Sequence, residues 1–492
     1  MTVDDQTPNS ERPVRREHQL RRGTLGTLGV AFFVISAAAP LTAMAGGAPV
    51  AMLLGNGSGV PGAYILTAVV LLVFAIGFTT MARHHTSTGA FYSYITRGLR
   101  QHLGGAAAFL ALLGYNAMQI GLWGLFGAAT SAFLADEFDW NVQWWICALV
   151  GVAIVAVLGY RQIDLSVKVL SVLVAAEFLV VLVLGTVIAV QGGDFGVSGL
   201  SLEPFTPGAL VSGSLPIALL FCFASFVGFE ATAIYSEEAK DPKRTVPRAT
   251  FLSVIVIGAV YTLVTFLMVN GAGIDKIPGF IADLGDPTGF LFVLSDSYIG
   301  GWFTTIMRLL FVTSVFAAVL AFHNAVARYT FALGREGLLP ELAGRTHPRY
   351  LSPHVGSVVQ SVLAAVVVII FVVAGQDPVL ALFTWLTNLG TLAIIALMAA
   401  ASFAVVAFFR QNKNLESNVV RTVVAPVLAG IALIIVLVVA IANFDVLIGH
   451  GGVLVWFLPS LLIVAAVIGV VAAQILKTRS PELFAAMGRH RD

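Results

Sequence analysis

Charged residues account for only 11% of this 492-residue chain, and cysteine occurs twice. Soluble domains carry roughly 25% charged residues, so the chain lacks the polar surface that keeps a globular protein in water. Cys147 and Cys222 both lie in apolar runs. They supply neither a disulfide framework nor a metal-ligand spacing, and read as small buried hydrophobes. No nucleophile–base pairing or phosphate-binding loop is found, and His84-His85 has no His or Glu at ligand spacing. These absences argue against an enzyme and imply no cofactor and no metal. The formal net charge of +1 says nothing as a total, and no nucleic-acid partner or obligatory protein partner is expected.

What the chain has is apolar length. It is 58% hydrophobic, with a mean hydropathy of +0.93. A membrane crossing needs ~20 mostly apolar residues. Runs of that kind lie near 26–54, 60–82, 104–134, 143–160, 165–191, 209–236, 249–273, 300–323, 354–374, 379–409, 422–443 and 452–476. The chain therefore reads as an all-α membrane protein with about twelve transmembrane helices and the lipid bilayer as its solvent. The widest connections, 192–208, 274–299 and 324–353, are too short for a separate soluble domain.

The charges that remain are sorted by side. Of the 27 Lys and Arg residues, all but Lys276 and Arg308 fall in the terminal tails or in connections that follow even-numbered segments. The opposite side carries Asp136, Glu137, Asp139, Asp194, Glu203, Asp283 and Asp286. This is the positive-inside pattern, and it places both termini in the cytoplasm of a cell whose inner membrane holds the chain. Residues 1–23 are polar and Arg-rich, which suits a cytoplasmic tail better than a cleaved leader. Trp140, Trp144, Trp145, Trp302 and Trp456 sit near segment ends as interfacial anchors.

Two segments carry residues that a plain membrane helix avoids. Segment 1 reads Ser36-Ala37-Ala38-Ala39-Pro40-Leu41-Thr42 and continues to Gly46-Gly47. Segment 6 reads Phe223-Ala224-Ser225-Phe226-Val227-Gly228-Phe229-Glu230, followed by Tyr235-Ser236-Glu237-Glu238. Pro removes an amide hydrogen and clashes with the preceding turn. Irregular backbone at membrane depth survives only where protein or a cavity covers it. Interruptions at matching places in two halves point to a transporter binding site. Simple kinks are the alternative reading for either break alone.

The residues around the second break resemble a known family. Phe226-Val227-Gly228-Phe229-Glu230 followed by Glu237-Glu238-Ala239-Lys240-Asp241-Pro242-Lys243-Arg244-Thr245-Val246-Pro247-Arg248 is similar to the signature of the amino acid–polyamine–organocation permeases. Ser87 to Tyr94, Arg328 to Pro340 and Gly159 to Glu177 resemble further stretches of that family, in its order. The resemblance implies a LeuT-like 5+5 inverted repeat with helices 1 and 6 broken, plus two extra helices. On that plan 1–23 is a tail, 24–192 and 193–410 are the two repeats, 411–476 holds the last two helices, and 477–492 is a second tail. It also implies a secondary transporter working by alternating access on a small amino acid substrate. The alternatives are a polyamine or organic amine transporter, an amino acid exchanger or, outside this class, a channel or a membrane sensor.

The substrate would rest on the backbone of Ser36, Ala37, Ala38, Ala39, Pro40, Leu41 and Thr42 and of Ala224 and Gly228. Phe223 and Phe226 would be apolar walls, with Asn116 of segment 3 nearby. The chain departs from many members in having Ala37-Ala38-Ala39-Pro40 in place of a Gly-Ser-Gly or Gly-Ala-Gly run. Members for long cationic substrates can carry Trp where this chain has Ala224, which weighs against arginine or agmatine exchange.

Two acids lie in apolar surroundings. Glu177 stands midway along segment 5, where a charged group costs ~2.5–3.5 kcal/mol to insert. Glu230 follows the break in segment 6 directly. Both are expected proton-coupling residues; a bond to a hydroxyl or to backbone is the structural alternative. Thr313 and Ser314 of segment 8 would be the ligands if sodium were used instead. Arg308 is expected to snorkel or to pair with Asp296. Tyr115, Asn116, Gln119 and Trp123 fall at helical spacings along segment 3 and suggest one polar stripe.

Overall fold

A computed structural model describes residues 26–84, 90–161, 167–230, 232, 239–350, 352–449 and 452–488. Within those stretches the side chains of residues 32, 33, 36, 37, 90, 167–170 and 242 stand outside the description. The described residues contain no strand; an isolated antiparallel bridge joins Gly193 and Ser198.

The chain begins with α1 (Thr27–Ala37), a π-helical stretch at Thr42–Gly47, and α2 (Ala48–Leu54). Then come α3 (Val60–His84), α4 (Ala90–Gly98), α5 (Gln101–Phe138), α6 (Trp144–Tyr160) and α7 (Val167–Gln191). The next elements are α8 (Leu215–Phe226), α9 (Pro242–Ala272), α10 (Phe290–Tyr298) and α11 (Gly301–Arg335). The last are α12 (His354–Val373), α13 (Thr384–Gln411), α14 (Ala425–Ala442), α15 (Val453–Arg479) and α16 (Pro481–Ala486). Among the described residues nine helices are long and apolar enough to cross a membrane, and Thr42–Leu54, Trp144–Tyr160 and Leu215–Phe226 are shorter apolar helices.

α5 is the central strut, packed along α11, α13 and α15. Its 38 residues make it about 57 Å long, well beyond a ~30 Å hydrocarbon core. Glycines let its neighbours in. A methyl group on Gly105 would lie 2.4 Å from the Gly469 carbonyl oxygen, and one on Gly469 would lie 2.1 Å from that of Gly105. Helices in lipid gain contact through such small residues, because no hydrophobic force drives them together there. The periphery is apolar and open: only 28% of the apolar stretch of each of α12 and α15 is buried inside the protein, which suits faces turned to lipid. Trp140, Trp302 and Trp456 are exposed, whereas Trp144 and Trp145 are half-buried.

One placement differs from the sequence reading. Arg308 does not pair with Asp296; its guanidinium donates to Asp136 at 3.0 Å and to Glu137 at 3.3 Å. The reason is lateral packing, since α5 and α11 lie side by side and end on the same acidic edge. The segment read as a C-terminal tail is held in place through Gly488. Its carbonyl accepts a hydrogen bond from Ser93 at 3.2 Å, and Met487 is buried against Tyr92 and Leu338. The N-terminal tail lies outside the described residues.

The Gly105–Gly469 contact admits a direct check. Gly469→Val should destabilise the protein by about 1–3 kcal/mol through overpacking, read as a lowered thermal midpoint in detergent. Gly279→Ala, where a methyl meets nothing within 4 Å, should leave the midpoint unchanged.

Candidate functional site

The first interruption starts where Pro40 forbids the helix to continue. Ala38 N–H still donates to Val34 at 3.1 Å. Ala39, disfavoured from the right-handed helix by the proline after it, takes φ +43. A non-glycine residue there costs about 1–2 kcal/mol. The helix then restarts, so its new first turn exposes amide hydrogens deep in the bundle.

Those amides are met by side chains from distant helices. Leu41 N–H donates to Glu177 Oε2 of α7 at 3.2 Å, and Thr42 N–H donates to Ser314 Oγ of α11 at 3.3 Å. Ser314 donates its own hydrogen to Glu177 Oε2 at 2.8 Å. A hydroxyl has one hydrogen to give, so Thr42 Oγ1 is the donor in its 2.9 Å bond to Ser314 Oγ. On the other side of the break, Tyr261 of α9 donates to the Ala38 carbonyl at 3.1 Å. Glu177 is 2% exposed. It therefore acts as the N-cap of a half-helix, where the helix dipole favours negative charge.

The second interruption is built on glycine. α8 ends at Phe226, and Gly228 takes φ +112, a region that L side chains rarely adopt. Glu230 folds back so that its Oε2 accepts from Gly228 N–H at 2.9 Å, while Tyr115 of α5 donates to Oε1 at 2.9 Å. Each break is thus covered by one buried carboxyl group. Tyr235, Ser236, Glu237 and Glu238, which follow, lie outside the described residues.

The two breaks share a cavity of about 60 Å³. Ala38, Ala39 and Thr42 line it from the first break and Ala224, Ser225 and Val227 from the second. A larger groove of about 450 Å³ lies between α3 and α9. Its walls include the exposed Ile65, Val69, Ile255 and Leu263. Such a surface suits lipid contact, and the polar groups needed to orient a solute are at the breaks instead.

The expected site residues separate on this geometry. Ser36 and Ala37 close α1, and their side chains are outside the description. Pro40 and Leu41 are buried at the restart of the helix and do not line the cavity. Gly228 lies at the second break beside Glu230. Phe226 packs against Tyr64 and Tyr261, and Phe223 is buried without reaching the cavity wall. Asn116 donates to Leu112 in its own helix at 2.6 Å. Thr313 likewise bonds back to Leu310, so of the two hydroxyls only Ser314 joins the network.

The polar stripe of α5 divides. Tyr115 reaches Glu230, whereas Gln119 accepts from Gln360 of α12 at 2.7 Å. Steps of four residues drift by about 40° on a 3.6-residue helix, so the line turns away from the site. Sequence reasoning missed Tyr261 and the walls from α5, α11 and α13. Apolar residues in apolar helices carry no mark of which way they face.

The profile of the amino acid permease family matches residues 25–479. The chain belongs to this family. That membership places it among membrane permeases and not among enzymes. The permease is similar to the low-affinity putrescine importer of Escherichia coli, at 27% identity over 315 residues. The match covers 62% of the chain and 66% of the importer, just under two thirds of the importer's length. It is also similar to the branched-chain amino acid permease of Bacillus subtilis, at 24% identity over 426 residues and 83% of each chain. A methylthioribose transporter of the same organism matches at 28% over 218 residues, covering 44% of the chain and 42% of the transporter.

The cap predicts a coupled response. Ser314→Ala leaves the Thr42 amide short of an acceptor and removes one donor from Glu177, which should cost about 1–3 kcal/mol of stability. Combined with Glu177→Gln in a double-mutant cycle, the losses should depart from additivity by more than about 0.5 kcal/mol. Thermal denaturation of the four proteins in detergent measures both quantities.

Proposed function

We propose that this permease is a secondary active transporter that moves amino acids across the cytoplasmic membrane by alternating access, in symport with protons. On this reading the chain crosses twelve times. Residues 24–192 and 193–410 form two inverted halves, 411–476 add two helices, and the basic face with both termini is cytoplasmic. The observation that carries the proposal is that the break between α1 and α2 and the end of α8 converge on one cavity, with a buried carboxyl group on the released backbone of each. The names of two relatives, a putrescine importer and a branched-chain amino acid permease, support amino acids or amines as cargo.

Glu177 is the proposed proton carrier. As a carboxylate it accepts from Leu41 N–H and from Ser314, and so holds the half-helix in place. Protonation removes the negative charge that the half-helix N-terminus favours. Loosening that cap frees the second half of the interrupted helix to shift between its two arrangements. A proton entering with a zwitterion carries one net charge. The membrane potential then supplies ~2.3 kcal/mol per 100 mV, close to fifty-fold accumulation at ~1.4 kcal/mol per factor of ten.

The test is uptake by proteoliposomes under imposed pH or sodium gradients, against a panel of labelled amino acids and polyamines. Glu177→Gln fixes the neutral form, so it should retain binding and counterflow exchange and lose uptake driven by a pH gradient. Glu230→Gln is the comparison. Normal pH-driven uptake in Glu177→Gln, with loss in Glu230→Gln, would transfer the role to the second break. Sodium-dependent uptake indifferent to pH would end the proton scheme and make Ser314 a ligand.

A further inference from the structure

We infer that the permease selects a neutral amino acid with an apolar side chain, and that α5, α11 and α13 form the subsite for that side chain. This rests on the transport reading above and narrows its substrate. The starting observation is what lines the cavity. Beyond the two breaks the wall includes Met118 and Leu122 of α5, Ala318 and Phe322 of α11, Phe383, which leads into α13, and Thr387 of α13. Of these only Thr387 has a polar side chain.

The hydroxyl groups in the lining are already engaged. Ser225 donates to the Phe221 carbonyl at 2.9 Å, which makes Tyr64 the donor in its 3.0 Å bond to Ser225. Thr387 donates to the Phe383 carbonyl at 2.7 Å. Thr42 is bonded to Ser314. Their hydrogens are spent on the protein, so a substrate side chain in this space meets mostly hydrocarbon and a few hydroxyl oxygens that can only accept.

Charge leads to the same class. No charged side chain lines the cavity. The two acids of the site, Glu177 and Glu230, are turned onto the Leu41 and Gly228 amides. A diamine, or the distal ammonium of lysine, would bury a cation with no anionic partner in the lining, and an acidic side chain would bury an anion facing neither a cation nor a free hydroxyl hydrogen. Both are strongly disfavoured. The α-amino and α-carboxylate groups, which every amino acid has, are left to the backbone of the two breaks. At about 60 Å³ the cavity is far below the ~300–1,000 Å³ of ordinary ligand pockets. It must therefore widen around its substrate, and the flexible Met118 is suited to giving way.

The experiment is competition against labelled leucine uptake in proteoliposomes holding the full-length protein. Leucine, isoleucine, valine and alanine should compete at least about tenfold better than putrescine, lysine or glutamate, since burial of unpaired polar groups discriminates at least as strongly as one methylene. Direct uptake of labelled putrescine, lysine and valine runs in parallel. Uptake of putrescine or lysine without uptake of neutral amino acids would overturn the substrate class and leave the transporter reading standing. Absence of uptake for every compound would overturn both.

The subsite is tested by two variants that act in opposite directions. Leu122→Ala enlarges the wall and should raise competition by phenylalanine relative to leucine by about tenfold. Ala318→Val narrows it and should shift preference from leucine to alanine by a similar factor. Unchanged ratios in both variants would place the side chain elsewhere.

Discussion

Backbone amide groups released inside a hydrocarbon layer have no water to bind, and each one left unsatisfied costs several kcal/mol. The interruptions in this permease create that problem twice, at Leu41–Thr42 and at Gly228. The answers come from other helices. Glu177 of α7 and Ser314 of α11 accept from the first break, Tyr261 of α9 donates to its carbonyl side, and Tyr115 of α5 steadies the carboxyl group covering the second. Four helices are thereby tied to two points. Their relative positions follow from the need to close those hydrogen bonds.

The rest of the packing is compatible with that arrangement because it is close and apolar. Gly105 against Gly469 and Gly98 against Ala404 bring backbones together where a methyl group would collide. Such contacts favour rigid helices that move as units over gradual deformation. The breaks are the exceptions, since their hydrogen bonds run to side chains that can rotate or change charge. On the proposed scheme the same carboxyl group that repairs the first break also reports the proton gradient. This places coupling and conformational change on one residue.

The two breaks were legible because proline and glycine act locally: Pro40 and Gly228 interrupt a helix whatever surrounds them. The acid at 177 was also conspicuous against its Val and Leu neighbours. Its partners were not. Arg308 has Asp296 near it in sequence, yet it binds Asp136 and Glu137 at the end of a neighbouring helix. Phe223 and Phe226 stood beside the second break, but Met118, Leu122 and Phe322 face the cavity. Which aromatic in an apolar helix points inward depends on rotation about the helix axis, and hydropathy is blind to that rotation.

Composition and hydropathy alone determined that the chain is helical and membrane-embedded, and its motifs resemble those of the amino acid permease family. These are sums over local residues, and transfer of each residue from water to lipid is nearly independent of distant neighbours. Only the tertiary structure decided that the Glu177 carboxyl group caps the half-helix at Leu41, 136 residues away, and that Ser314 does the same for Thr42 across 272 residues. It also decided that the cavity between the breaks has apolar walls. Contacts at such separations depend on how whole helices pack, and no local property of the chain encodes them.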